Sequence, residues 1–326
     1  MKGHAQTPPR STPIDSGADF AADVRYYLSQ RPRQLPSRYL YDELGSALFD
    51  AICHLPWYPV TRAEMRLLAA HGHAILAGAD APTHLVELGA GNGTKLAALI
   101  TAAGVEATPP TVHLVDVSRA ALTTASRTLA AVAPLRIVTH EASYEDGLDQ
   151  LRAAPTGERT LVLFLGSNIG NFDPDGARAF LRHVRSTLAA GDGLLLGADL
   201  VKPEAELLLA YDDPLGVTAA FNRNLLVRLN RELEADFDLA SFRHYACWNA
   251  AASRVEMHLV SARPQRVHVR RAAFEMTLLE GERIWTESSY KYSATDVHAL
   301  LEACGFQVRA QWIDEASPFA LTLAGC

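Results

Sequence analysis

Apolar positions recur at helical spacing over residues 19–80, with Phe20, Val24, Tyr27 and Leu28 on one stripe and Leu44, Leu48, Phe49 and Ile52 on another. The pattern changes at about residue 84. Short apolar-rich runs follow, namely HLVEL (84–88), VHLVDV (112–117), LRIVT (135–139), TLVLFLGS (160–167) and GLLLGADL (193–200), separated by helical segments. Runs buried on both faces and alternating with helices predict a parallel sheet built of βαβ units. Beyond Leu200 that regularity ceases. Helices are predicted near 203–213 and 217–234, and alternating strands at 254–260, 266–278 and 283–292. At the end of the chain, LLEACGFQVRAQWI (300–313) reads as helix, turn and strand, and FALTLA (319–324) as a further strand. A helix followed by two strands joined by a short connection predicts an antiparallel pair closing the parallel sheet.

This pattern divides the chain into a tail at 1–17, rich in Pro, Ser, Thr and Gly and expected to be mobile, and two larger regions. Residues 63–200 and 293–326 carry the α/β pattern, and residues 18–62 and 201–292 form a second α+β domain. With 326 residues, 48% hydrophobic and 21% charged, the chain is long enough for one substantial core and a smaller second one. The net charge of -7 offers no general attraction to a phosphate backbone, and no basic patch stands out, so a nucleic-acid partner is not expected. No apolar stretch is long enough for a membrane span. Cys53, Cys247, Cys304 and Cys326 are far apart and form no C-x-x-C, which predicts buried, reduced thiols in a cytoplasmic protein.

The chemistry concentrates after the first predicted strand. Glu87-Leu88-Gly89-Ala90-Gly91-Asn92-Gly93 follows that strand and opens a helix, where glycines let the backbone approach a ligand closely. A dinucleotide fingerprint needs its third glycine at 94, which is Thr94. G-x-G-x-G preceded by Glu87 instead favours S-adenosylmethionine over NAD. Asp116 ends the second strand, where a carboxylate can accept hydrogen bonds from ribose hydroxyls; an ordinary solvated strand-end Asp is the alternative. Ser143 and Tyr144 follow the third strand, where an adenine ring would meet a polar group and an aromatic wall. His71 and His73 diverge on a helix and have no third ligand nearby in sequence, so no metal is expected.

The segments YDELGSALFDAICHLPWYPVTRAE (41–64), ELGAGNGTK (87–95), VLFLGSNIGNF (162–172), LLLGADLVK (194–202), AYDDPLGVTAAFNRNLL (210–226), NRELEADFDL (230–239) and TESSYKYS (286–293) together resemble the histidine-specific, S-adenosylmethionine-dependent Nα-methyltransferases of ergothioneine biosynthesis. The resemblance spans about 35–325. It implies a class I, Rossmann-like methyltransferase sheet of seven strands with a second substrate-binding domain, and conversion of L-histidine by up to three N-methylations into hercynine; nothing in the sequence indicates a protein partner. It assigns Gly89, Lys95 and Asp116 to the cofactor, with Lys95 near its methionine end; the reading of the loop adds Glu87, Gly91 and Gly93, and the place after the third strand adds Ser143 and Tyr144. Tyr58, Asn171 and Tyr211 would hold the α-amino and carboxylate groups. Gly166, Tyr41, Phe49 and Met257 would line the acceptor site, and Glu287 and Ser289 would read the imidazole. Asn171 and Tyr41 would stand at the reacting amine.

The residue types suit this assignment. An amine must be neutral to attack a sulfonium methyl, and the Asn171 carbonyl accepts N–H bonds without a charge that would lock the amine as ammonium. Phenols donate to a carboxylate, and a Glu accepts from an imidazole N–H. In TESSYKYS, strand alternation puts Glu287 and Ser289 on one face, as it would on any edge strand. Ser143 departs from the family pattern, which often has Asp there, and Trp57 and Pro59 depart from its Pro-Glu-Tyr-Tyr segment, while Tyr58 keeps its place. Another aromatic amino acid such as tryptophan, or a related small amine, is the nearest alternative acceptor, and a non-catalytic cofactor-binding protein is the alternative from another class.

Overall fold

The computed structural model describes residues 17–104, 109–151 and 158–326, and the expected tail at 1–17 lies almost wholly outside them. The described strands are β1 (Arg33–Gln34), β2 (His84–Leu88), β3 (Thr111–Asp116), β4 (Arg136–Glu141), β5 (Thr160–Phe164), β6 (Gly193–Asp199), β7 (Phe242–Asn249), β8 (Arg254–Ser261), β9 (Gln265–Val269), β10 (Phe274–Leu278), β11 (Arg283–Tyr290), β12 (Gln307–Ile313) and β13 (Phe319–Gly325). The described α-helices are α1 (Gly17–Ser29), α2 (Glu43–His54), α3 (Val60–Gly78), α4 (Thr94–Ala103), α5 (Arg119–Ala130), α6 (Tyr144–Leu151), α7 (Pro174–Thr187), α8 (Glu204–Tyr211), α9 (Val217–Leu233) and α10 (Ala294–Ala303). The chain divides into two compact units, one holding 60–201 and 292–326, the other 15–59 and 202–291.

The first unit is built on a seven-stranded sheet in the order β12-β13-β6-β5-β2-β3-β4. Strands β2 to β6 are parallel, and β13 runs antiparallel to both β6 and β12. This is the sheet expected of a class I methyltransferase. Strand order reverses beside β2, so the loops after β2 and β5 leave the sheet in opposite directions and open a crevice at the carboxyl ends of the strands. Helices cover the faces: Val86, Leu88, Phe164, Phe180, Leu194 and Leu196 are fully buried in one core. Every residue of β6 and β13 is buried, as their apolar runs require. The edge strand β4 is not buried on both faces as expected of LRIVT; its residues are half-buried or exposed, because no described strand pairs with its outer side.

The second unit carries a four-stranded sheet, β1-β11-β8-β7, in which β1 is parallel to β11 and the remaining pairs are antiparallel. The stretch 266–278, expected as one strand, is an antiparallel hairpin of β9 and β10. A single helical turn at Arg270–Ala272 and the positive φ of Ala273 (46°) reverse the chain between them. Helix α9 begins where the Asp213 carboxylate accepts the backbone N–H groups of Leu215, Val217 and Thr218. Helix α2 is capped by Asp42, which accepts from Gly45 N and from Asn224 Nδ2 on α9, tying the two helices together.

All four cysteines are free thiols, but only Cys304 is buried; Cys53, Cys247 and Cys326 are partly exposed. Among the described residues, no helix is long and apolar enough to cross a membrane.

Candidate active site

In the first unit, the turn from β2 into α4 is the glycine loop, with Gly89, Gly91 and Gly93 at φ of 79°, 52° and 76°. Gly93 has no alternative: a Cβ there would lie 2.8 Å from Ala125 Cα, besides the strain of its positive φ. At Gly89 a Cβ would stand 3.1 Å from both the Tyr144 hydroxyl and the Asn168 carboxamide nitrogen, so the absent side chain keeps open a niche between those groups. Asp116, at the end of β3, accepts the N–H groups of Gly91 (3.2 Å) and Ser118 (2.9 Å). Burial pushes its carboxyl up, against the pull of those backbone donors.

Three ionisable side chains, Glu64, Glu87 and Lys95, interact in this unit. Glu64 on α3 is fully buried; its two carboxylate oxygens accept the Gly166 N–H at 2.8 and 2.9 Å, and Lys95 Nζ lies 2.8 Å away. Gly197 on β6 makes room for it, since a Cβ there would come within 2.2 Å of Glu64 Oε1. Glu87 on β2 is also buried, and burial pushes its carboxyl up to about 8, with Lys95 opposing and Glu64 and Asp116 reinforcing the rise. Its Oε2 has no hydrogen-bond partner among the described residues. The segment after β5 follows: Ser167, at φ 59°, accepts the Asp199 N–H through its hydroxyl, and Asn168–Asn171 form one helical turn. Asn171 is half-buried, and no described residue hydrogen-bonds its carboxamide.

Ser143 caps α6. Its Oγ accepts the Asp146 N–H (3.1 Å) and donates to the Asp146 carboxylate (2.8 Å). Tyr144 packs edge-on against Phe164 at 5.3 Å, and burial raises its hydroxyl. Every residue that the sequence assigned to the cofactor therefore lies in this unit, together with Gly166 and Asn171.

The other positions assigned to the acceptor lie in the second unit. Tyr41, Phe49 and Phe221 form an aromatic triangle with centroids 5.5 to 5.9 Å apart. Phe49 continues to Tyr58 at 6.4 Å and Tyr58 to Tyr211 at 6.4 Å. On β11, Glu287 and Ser289 are both buried on one face, with Met257 of β8 paired to Glu287. Burial pushes the Glu287 carboxyl up to about 7, against Lys291 nearby. No described residue donates a hydrogen bond to that carboxylate. Tyr211, expected at the α-amino and carboxylate groups, and Ser289, expected at the imidazole, are bonded to each other, Tyr211 donating at 2.7 Å, and Lys291 Nζ donates to both at 2.8 Å.

Glu64, Asn168, Phe221 and Lys291 were not singled out from sequence. Alternation in TESSYKYS puts Lys291 on the face of Glu287 and Ser289, a signal that was available. Glu64 offered none, because its partners stand at 95 and 166.

On the same sheet of the second unit, Cys247, Glu256 and His258 bring ligand atoms within 4.8 Å of one another. The Glu256 carboxylate is already held by Asn249 (2.9 Å), Arg254 (2.7 Å) and His258 (3.2 Å), and the guanidinium, 4.4 Å over the Trp285 ring, supplies the positive charge that a metal would bring.

A family model described as histidine-specific, S-adenosylmethionine-dependent methyltransferase matches residues 20–326. The chain belongs to this family. It is 41% identical to the histidine N-alpha-methyltransferase of Mycolicibacterium smegmatis, over 95% of this chain and 96% of that one. It is 30% identical to ergothioneine biosynthesis protein 1 of Neurospora crassa over 86% of this chain, which corresponds to 32% of that longer protein. It is also 27% identical to an L-tryptophan methyltransferase of Psilocybe serbica, over 89% and 87% of the two chains.

As a member of this methyltransferase family, the protein uses S-adenosylmethionine. The first unit fits that cofactor on two counts. The glycine loop leaves an open niche at Gly89, and Glu87 Oε2 is a buried acceptor awaiting a donor such as an ammonium group.

Proposed function

We propose that this methyltransferase acts on the α-amino group of L-histidine, adding up to three methyl groups to give hercynine. The observation that carries the reading is Glu287: a buried carboxylate with no hydrogen-bond donor among the described residues, beside the Ser289 hydroxyl and the Met257 side chain. A buried acceptor of this kind is costly unless a ligand supplies the donor, and an imidazole N–H does so. The family match and the 41% identity to a histidine N-alpha-methyltransferase support the same acceptor.

When bound, S-adenosylmethionine supplies an electrophilic sulfonium methyl, and the residues of the chain do the rest. Glu87, the glycine loop and Asp116 hold the cofactor, Asp116 through its carboxylate toward ribose hydroxyls. Tyr41, Phe49, Phe221 and Tyr58 give the acceptor an apolar, water-poor surround. Asn171 accepts an amine N–H through its carboxamide oxygen, orienting the nitrogen lone pair without favouring ammonium. The product, a trimethylammonium betaine, is a small molecule, and nothing in the site asks for a macromolecular partner.

The test is mass spectrometry after incubating the protein with S-adenosylmethionine and an equimolar mixture of the twenty amino acids. Histidine heavier by three methyl groups is the expected result. Methylation of tryptophan in preference to histidine would transfer the assignment to the tryptophan relative's chemistry, and no methylated amino acid at all would refute it.

A further inference from the structure

Glu64 is a fully buried carboxylate with no task in the chemistry assigned above. Burying a carboxylate is costly unless an opposite charge and hydrogen bonds compensate, and both are present. The Gly166 N–H donates to its two oxygens, at 2.8 and 2.9 Å, and Lys95 Nζ lies 2.8 Å from Oε2. Space for the carboxylate comes from Gly197 on β6, where a Cβ would collide with Oε1. Space for the ammonium comes from Gly166, where a Cβ would stand 2.7 Å from Lys95 Nζ. Residues of α3, α4, β6 and the turn after β5 are thus fitted to one another around a single contact.

The place of these segments gives the contact its meaning. Lys95 is the second residue of α4, directly after the glycine loop, and Gly166 follows β5. The two flank the crevice that opens where the strand order reverses. The Lys95 side chain is 23% exposed, so a ligand in the crevice can reach it, whereas none of the Glu64 side chain is exposed. Glu64 is therefore placed to act through Lys95 rather than on a ligand directly. Glu87 is a second carboxyl group that feels the Lys95 charge. We propose that Glu64 is a positioning residue for the cofactor: by holding the Lys95 ammonium against the Gly166 turn, it keeps that charge directed at the α-carboxylate of S-adenosylmethionine and away from Glu87, which is left to take the α-ammonium. This role rests on the reading of Lys95 and Glu87 as the site of the cofactor's amino-acid end. Without the Glu64 charge, Lys95 is drawn to Glu87, and the two groups that recognise that end neutralise each other. The loss then falls on the amino-acid end of the cofactor and spares its adenosine end.

The experiment is calorimetry on the full chain with two ligands, S-adenosylhomocysteine and 5′-methylthioadenosine, which share the adenosine and the thioether and differ in the amino-acid end. Glu64→Gln keeps an oxygen for the Gly166 N–H and removes the charge. It should weaken S-adenosylhomocysteine roughly 10- to 100-fold and 5′-methylthioadenosine by less than about threefold. Lys95→Met should show the same selectivity, and the double variant should lose no more than Lys95→Met alone. Glu64→Asp, which keeps the charge on a shorter arm, should recover part of the S-adenosylhomocysteine affinity. Equal weakening of both ligands in Glu64→Gln, as a merely structural role would give, overturns the proposal, and so does unchanged S-adenosylhomocysteine binding or an additive loss in the double variant. Should Glu64→Gln not fold, the same two ligands on Glu64→Asp decide: a loss confined to S-adenosylhomocysteine is expected, and an equal loss or none overturns the proposal. Failure of the underlying reading looks different: Lys95→Met and Glu87→Gln would then bind both ligands as the wild-type protein does.

Discussion

Cofactor binding should release a proton from Glu87. With its carboxyl pushed up to about 8, Glu87 is neutral in about nine-tenths of the molecules at pH 7. S-adenosylmethionine brings two positive charges, on its ammonium and sulfonium groups, and a cation close to a carboxylate favours the ionised form. If binding restores the ordinary value of 4.5, about 0.9 proton leaves per cofactor bound at pH 7; if it lowers the value only to about 7, about 0.4 proton leaves. Isothermal titration calorimetry in two buffers of different ionisation enthalpy reads this number directly from the difference in heats. Glu87→Gln keeps the shape, cannot ionise and should release almost none. A wild-type release near zero, or the same release from Glu87→Gln, refutes the reasoning. The free protein gives a second reading of the same group. Because the folded value lies above the unfolded 4.5, the native state holds the extra proton between about pH 4.5 and 8. Stability from Glu87 is therefore full below that window and declines as pH rises through it, by an amount on the order of a few kcal/mol, and Glu87→Gln should flatten this slope in urea titrations.

Glu287→Ala should raise the KM for histidine at least tenfold while leaving the affinity for S-adenosylhomocysteine unchanged, as steady-state kinetics and calorimetry would show. Gly93→Ala, which forces a Cβ to 2.8 Å from Ala125 Cα at a positive φ, should cost about 1–3 kcal/mol in chemical unfolding and weaken cofactor binding; wild-type stability would contradict the close packing of the loop on α5. His113, which lies 3.0 Å from His84 and 3.2 Å from His140, is pushed down to about 4, chiefly by burial. Its folded value lies below the unfolded 6.5, so its contribution is present above 6.5 and lost as pH falls toward 4; being half-exposed, it should account for only about 1–2 kcal/mol, removed in His113→Gln and read from urea midpoints at pH 7 and 5.

The parallel core was legible because each strand declares itself locally. HLVEL, TLVLFLGS and GLLLGADL are short, apolar and flanked by helical segments, and the glycine loop sits where a βα turn must be. Strands defined by distant partners were not. β1 is two residues long and exists only because Arg33 and Gln34 pair with Ile284 and Trp285. β7, FRHYACWN, mixes exposed, half-buried and buried positions without a clean alternation, so no period marks it. The same division holds in the candidate site. Asp116 and the glycines follow from their place at strand ends, whereas Glu64 is set in place by Gly166 N–H and by the space left at Gly197, neither of which leaves a trace around residue 64. Lys291 lies between: the alternation that paired Glu287 with Ser289 reaches it, but only the structure shows its bond to Tyr211, on a helix far back in the chain.

The pairing of β1 with β11 also governs the order in which the chain can assemble on the ribosome. Arg33 closes its ion pair with Glu282 across 249 positions of sequence. At synthesis rates of about 5–20 residues per second, the early segment waits roughly 10 to 50 s for its partner strand to emerge. During that interval Leu35, Tyr39 and Leu40, all buried in the finished unit, have no sheet to join. The first unit meets a similar delay, since β13, wholly buried beside β6, comes long after it in the sequence. The second unit, whose last residue is Lys291, can therefore close before the first, whose buried β13 follows it in the chain.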